Sequence, residues 1–341
     1  MSDIDKIQLI HDVKQKFTLG EDFVDTLLNQ IQDNTKKQSI ERFFQGYSVE
    51  DYFQDVISAL PWTRLTHQLD QSQFPSSSKT DFQVPDYQVF FEDFDRECHP
   101  SLVEVKSVTG QKKSLKISKR QVDLCVAYAD TCNHPLLYAI YWKHWNYWTL
   151  NTIDQFESKA SSLKITLENA MKNDLSVIYG NVTYFIPPLT RTTICDSSIS
   201  DDSRPCHQDY GTILTDRIST DGCNFVALSV TDSSVLDSYF SLSVESVKTV
   251  GSRTCIIEKT DAIHAPKVLS IVMAYMALIG EALENVDSRF SFFFVHEFLD
   301  KLGVSHSYSI PNSHTTMSRD LYSIAFKGTS LADDGEFDKT V

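Results

Sequence analysis

The chain has 341 residues, 41% of them hydrophobic, and a formal net charge of −15 at pH 7. That length suits two or three structural units, and the hydrophobic share is ordinary for a globular protein. So acidic a chain, if its charge is evenly spread, argues against nucleic-acid binding.

The seven cysteines include no C-x-x-C pair, and the start, MSDIDKIQLIHDV, lacks a basic segment followed by an apolar one. Both features point to a reducing, cytoplasmic setting. Residues 3–45 read as polar helix, with Ile7, Ile10 and Val13 and then Phe23, Leu27, Leu28 and Ile31 as apolar positions. Val49, Tyr52, Phe53, Val56, Ile57 and Leu60 recur at helical spacing, and Pro61 ends that helix. Trp62 to Leu69 reads as a strand, QSQFPSSSKT as a loop, and Phe82 to Phe91 as a strand with Pro85 near its start. EDFDRECHP is a turn or loop.

Pro100 to Val108, PSLVEVKSV, is largely apolar and β-branched, yet it carries Glu104 and Lys106. Two residues apart on a strand, those charges share one face. TGQKKSLKI follows as a basic connection. Ser118 and Gln121 form an S-x-x-Q capping pattern, and Val122, Cys125, Val126 and Ala129 form the stripe of a helix. LLYAIYW is a near-continuous apolar strand, which KHWN turns back into YWTL. Trp142, Trp145 and Trp148 around that turn suit sheet packing.

Residues 190–222, rich in Ser, Thr and Asp, read as loop. NFVALSV, YFSLSVESV and RTCIIE read as strands, Pro266 to Glu284 as a helix, and Phe290 to Gly303 as helical toward its end. The final residues, 331–341, look frayed and acidic. Cys195, Cys206, His207 and Cys223 are too irregularly spaced for a zinc site. The run Val268 to Ile279 is shorter than the roughly 20 residues of a membrane span, so no membrane association is expected.

Asp86 precedes Glu104 by eighteen residues, enough for an antiparallel return that sets the two acids side by side. Facing carboxylates repel unless a cation lies between them, and oxygen ligands suit Mg²⁺, with Mn²⁺ as a substitute. Such an ion acidifies a bound water and stabilises charge on a phosphoryl oxygen. Lys106 could position that water or offset transition-state charge, and the Val105 carbonyl could add a ligand. Asp81 competes with Asp86 for the metal role. The simpler readings are an ion pair for Glu104 and Lys106, a turn acid for Asp86, a first-turn acid for Glu50 and a capping residue for Gln121.

Pro85-Asp86 followed by Glu104-x-Lys106 resembles the signature of the PD-(D/E)xK nuclease superfamily, the restriction-endonuclease-like and Holliday-resolvase-like enzymes. The resemblance covers roughly residues 46–155. Glu50 matches a glutamate that family often carries on the helix before the strands. Gln121, with Tyr128 after it, matches a glutamine on the helix after the lysine strand. The resemblance implies an α/β fold, a restriction-endonuclease-like mixed sheet flanked by helices. Residues 1–45 would then be a helical extension, 46–158 the nuclease core, and 159–341 a C-terminal α+β domain for substrate or partner selection or oligomerisation. It further implies a Mg²⁺-dependent nuclease, with Asp86, Glu104, Val105 and Glu50 holding the metal and Asp86, Glu104, Lys106, Glu50 and Gln121 forming the catalytic set. DNA is the expected substrate and RNA the alternative, with restriction or phage defence the implied pathway. A homodimer or a partner complex would supply a second site, and a non-catalytic nucleic-acid-binding subunit is the reading from another class.

The charge distribution reverses the first inference from net charge. Between Val105 and Val122 the chain carries Lys106, Lys112, Lys113, Lys116, Lys119 and Arg120 and no acid. The last five are the candidate phosphate-backbone contacts. Lys119 and Arg120 oppose the dipole at a helix start, which favours an anionic partner.

Overall fold

The computed structural model describes residues 49–201, 203–260, 262–279, 289–307 and 316–326. The helix expected over 3–45 and the frayed end lie outside them, as do residues 280–284 of the helix expected after Pro266.

Helix α1 (49–58) lies where its apolar period places it, with Val49, Phe53, Val56 and Ile57 buried. A five-stranded sheet follows: β1 (Thr63–Gln68), β2 (Tyr87–Glu92), β3 (Cys98–Val108), β5 (Leu136–Trp142) and β6 (Tyr147–Asn151), adjacent in that order. All neighbours are antiparallel except β3 and β5, which are parallel. The parallel step requires a crossover. It is made by β4 (Ser114–Ser118) and helix α2 (Lys119–Cys132). Asn133, at φ 53°, ends α2 in the left-handed region. The mixed α/β architecture and element order agree with the sequence reading.

Alternation along the strands builds two cores. Tyr87, Val89, Phe91, Val103, Val105, Leu137, Ala139 and Trp148 pack with α1 on one face. Leu102, Val108, Leu136, Tyr138, Ile140 and Trp142 pack with Val122, Cys125 and Ala129 of α2 on the other. Each such aliphatic or aromatic side chain contributes about 1.5–3 kcal/mol of burial.

Several expectations change. The strand foreseen from Phe82 starts only at Tyr87, because the chain before it turns away: the Gln83 N–H donates to the Leu124 carbonyl on α2. The basic connection holds a strand, β4, whose partner β8 (Ser162–Thr166) is distant in sequence; with β7 (Glu157–Ser158) they make a three-stranded sheet. The stretch expected as loop, 190–222, instead contains β10 (Thr190–Asp196) and β12 (Gly211–Ser219), with β11 (Cys206–His207) between them. These are polar strands whose inward Arg191 and Thr193 bond to Asp216, so hydropathy does not reveal them.

After helix α3 (Leu167–Lys172) and β9 (Thr183–Phe185), β10 to β12 form a second sheet in the order β11-β12-β10-β15-β14. Its other members are β14 (Ser243–Val250), β15 (Arg253–Lys259) and β13 (Val226–Ala227), the last paired to β12. NFVALSV yields only β13, because Ser229 and Asp232 close a capping box that starts helix α4 (Val230–Tyr239). Helices α5 (Val268–Ile279) and α6 (Arg289–Lys301) lie where expected; β16 (Ser305–Ser307) pairs with β9, and α7 (Thr316–Ala325) follows. The buried cluster on the α1 face runs on through Ile178, Tyr179 and Ile218 to Val272, Phe298 and Leu299. No helix among the described residues is long and apolar enough to cross a membrane.

Candidate active site

Strand β3 changes partners along its length, and the site sits at the change. It pairs with β2 over Cys98–Val103 and with β5 over Leu102–Val108. Beyond Val103 its β2-side edge has no ladder partner, so the backbone groups there need other bonds. Asp86, one residue before β2, supplies one: its Oδ2 accepts the Val105 N–H at 2.7 Å. That bond fixes the carboxylate beside Glu104.

Glu104 and Lys106 lie on the α2 face of β3. Glu104 is 1% exposed. Its Oε1 accepts three donors: Lys106 Nζ at 2.6 Å, Gln83 Nε2 at 3.3 Å and Gln121 Nε2 at 3.3 Å. Its Oε2 is buried with no donor. Lys106 Nζ also donates to the Val105 carbonyl at 3.0 Å. Ser118 is the N-cap residue of α2 but makes no side-chain cap bond, so the capping box read from the sequence does not form. The Gln121 side chain bonds to Glu104 instead.

Glu50, at the start of α1, completes the group. Burial, followed by the charges of Asp86 and Glu104, raises its pKa to about 8 despite the opposing pull of Lys106. Burial and Glu104 raise Asp86 to about 7, against Lys106 and the Val105 N–H. Burial by itself would lower Lys106, but Glu104 and Asp86 outweigh it and hold the ammonium above the ordinary lysine range. Lys106 is therefore a fixed cation near neutral pH. Cys125, facing Glu104 from α2, has its thiol pushed up by burial and by the Glu104 charge, so it stays neutral.

The structure thus brings together Asp86, Glu104, Lys106, Glu50 and Gln121. Asp81 is not with them: it is exposed, caps the short 3₁₀ turn Ser76–Thr80 and accepts from Thr80 Oγ1. Lys112 and Lys113 are exposed in the turn before β4, Lys116 is exposed on β4, and Lys119 and Arg120 are exposed in the first turn of α2. Sequence reasoning missed Gln83. Its proximity to Pro85-Asp86 was the only signal, since its side chain reaches Glu104 through the local fold of that segment.

A divalent cation fits this donor set. Three carboxylates share one lysine, two of them are pushed toward neutrality by burial and by neighbouring acids, and Glu104 Oε2 is a buried acceptor with no donor. Uncompensated buried charge of this kind is costly and calls for a cation. Asp93, Glu97 and His99 also bring ligand atoms within 4.8 Å of one another. There Asp93 Oδ1 accepts the N–H groups of Asp95 and Glu97, and Oδ2 lies 2.9 Å from His99 Nε2, so the carboxylate staples the β2–β3 loop.

No family model matches the chain, and no curated protein matches it. Among solved structures it is similar to Hjc, a Holliday junction resolvase from the archaeal hyperthermophile Archaeoglobus fulgidus. The identity is 17% and the TM-score 0.30, over 40% of this chain and 96% of that one. A likeness of that size carries no weight for function, which must be read from the site itself.

Proposed function

We propose that this chain is a metal-dependent nuclease of the PD-(D/E)xK type that hydrolyses phosphodiester bonds, with DNA as substrate. The observation that carries the reading is Glu104 Oε2: a buried carboxylate oxygen without a donor, in a carboxylate cluster that holds one fixed lysine.

Glu50, Asp86, Glu104 and the Val105 carbonyl are the groups that would hold Mg²⁺. When bound, the ion supplies Lewis acidity and a more acidic water. Gln83 and Gln121 hold Glu104 by Oε1, which leaves Oε2 without a donor and available to the ion. Lys106, protonated, is no general base; its Nζ offsets negative charge gathering on the phosphoryl oxygens during in-line attack. Burial of Glu104 beside Lys106 lowers the local dielectric and strengthens that interaction. The five exposed cations from Lys112 to Arg120 hold the phosphate backbone, and the C-terminal α+β part selects substrate or partner. A homodimer would give the two sites that cutting both strands requires, as restriction or phage defence would demand.

Purified protein with Mg²⁺ or Mn²⁺ should cut plasmid or linear DNA. Glu104→Ala should abolish cutting, and Lys106→Ala should reduce it roughly 100-fold or more. Equal activity in these variants sinks the assignment. Faster digestion of matched RNA would change the substrate, and tight DNA binding without cleavage would favour a non-catalytic subunit.

A further inference from the structure

On the small sheet beside the site, two lysines face each other. Lys116 on β4 lies directly opposite Lys164 on β8 in antiparallel register. Like charges so placed destabilise a strand pair. Lys164 has Glu157 of β7 as its other register neighbour, but that carboxylate lies 3.6 Å from Lys159. Among the described residues, Lys112, Lys113, Lys116, Lys119, Arg120 and Lys164 make no ion pair. Most other described cations do, including Arg64, Arg191, Lys259, Lys267 and Lys301. In a chain of net charge −15, unpaired cations set close together along one turn, one strand pair and one helix start offer a site to an anionic partner.

The face is built for an anion. Leu115, Ile117, Leu163 and Ile165 turn toward the α2-side core. The alternate residues form the outer surface, in cross-strand pairs Ser114–Thr166, Lys116–Lys164 and Ser118–Ser162. Two ammonium groups rimmed by hydroxyl residues are the donors that contact phosphate and sugar. The surface begins beside the site, since Gln121 of the adjoining helix donates to Glu104. It ends at the Lys112–Lys113 turn. From Lys113, just before β4, to Lys119, just after it, the chain takes six steps across the five extended residues of the strand, about 20 Å, or about six nucleotides at roughly 3.4 Å each.

We propose that the outer face of β4 and β8, centred on Lys116 and Lys164, carries the sugar–phosphate backbone of the substrate away from the site over about six nucleotides on one side of the scissile phosphate. The direction and length rest on the nuclease reading, whereas the binding of a phosphate backbone to this face does not.

The test compares wild type with K116T/K164T, since threonine suits exposed strand positions. Binding to duplex DNA and to matched RNA is measured without divalent metal over a salt series. The double variant should bind more weakly, with a salt slope on DNA shallower by about 1.8, two phosphate contacts' worth. Without nucleic acid it should melt no lower than wild type at low salt. Wild type should also lose cleavage when the substrate is trimmed below about six nucleotides on one side, and not on the other. An unchanged slope and affinity in the variant overturns the proposal. So does wild-type binding to anionic lipid vesicles without binding to DNA or RNA. Lysine-dependent binding with no cleavage sinks the nuclease reading and leaves this surface standing, while cleavage with an unchanged slope sinks the surface alone.

Discussion

Glu50 and Asp86 bind protons more tightly in the folded chain than in the unfolded one, because burial and neighbouring acids disfavour their charge. Their contribution to stability is complete below the ordinary carboxylate range and is lost as pH rises through about 7 to 8. Glu50→Gln should therefore stabilise the metal-free protein by on the order of 2 kcal/mol near pH 9 and leave it unchanged near pH 4, read from urea midpoints at each pH. A gain that is the same at both pH values would show that ionisation is not its cause. Mg²⁺ should bind with proton release, visible as a dependence of the calorimetric heat on the buffer's ionisation enthalpy. EDTA should return the protein to its metal-free melting curve. Removing Lys106 takes away the one cation that offsets three acids, so Lys106→Met should cost more stability at pH 8 than at pH 5.

At the scale of elements, α2 gives up a capping bond that its sequence offers. Ser118 is at the N-cap without a side-chain bond, whereas Ser229 closes a capping box on α4. Ser229→Ala should cost about 1 kcal/mol and Ser118→Ala less than half of that, by chemical denaturation. Equal costs would mean that Ser118 caps α2 after all. The elements themselves were legible wherever a single periodicity ruled. The α1 stripe, the alternation of PSLVEVKSV and the apolar run LLYAIYW each identify a helix or strand because one burial pattern dominates. Strands β10 and β12 were not legible, since their inward side chains include Arg191, Thr193 and Asp216, which are satisfied by one another and by Ser233, Asp237 and Glu258 from other elements.

At the scale of the whole molecule, the sheet that bears the site and the C-terminal helices share one buried cluster. Trp62 N–H donates to the Tyr179 carbonyl, and Trp62 packs edge-on against Phe326. Leu299→Ala in α6 should cost about 2–5 kcal/mol. It should lower the melting of the sheet, followed by tryptophan fluorescence with Trp148 in that core, together with far-UV circular dichroism. Two separate transitions, with the tryptophan signal unmoved, would contradict a shared core.

The sequence by itself determined the mixed α/β order, the shared face of Glu104 and Lys106, and the acid-free basic stretch from Lys106 to Val122. These depend on covalent spacing and side-chain alternation, which are local. Only the tertiary structure set Asp86 beside Glu104 and Asp81 apart from it, drew Gln83 and Gln121 onto one oxygen of Glu104, and set Lys164 opposite Lys116. Those outcomes depend on where β3 exchanges β2 for β5 and on which distant strand pairs with β4. Hydrogen bonding, burial and charge act through space between segments that the chain brings together only when it folds.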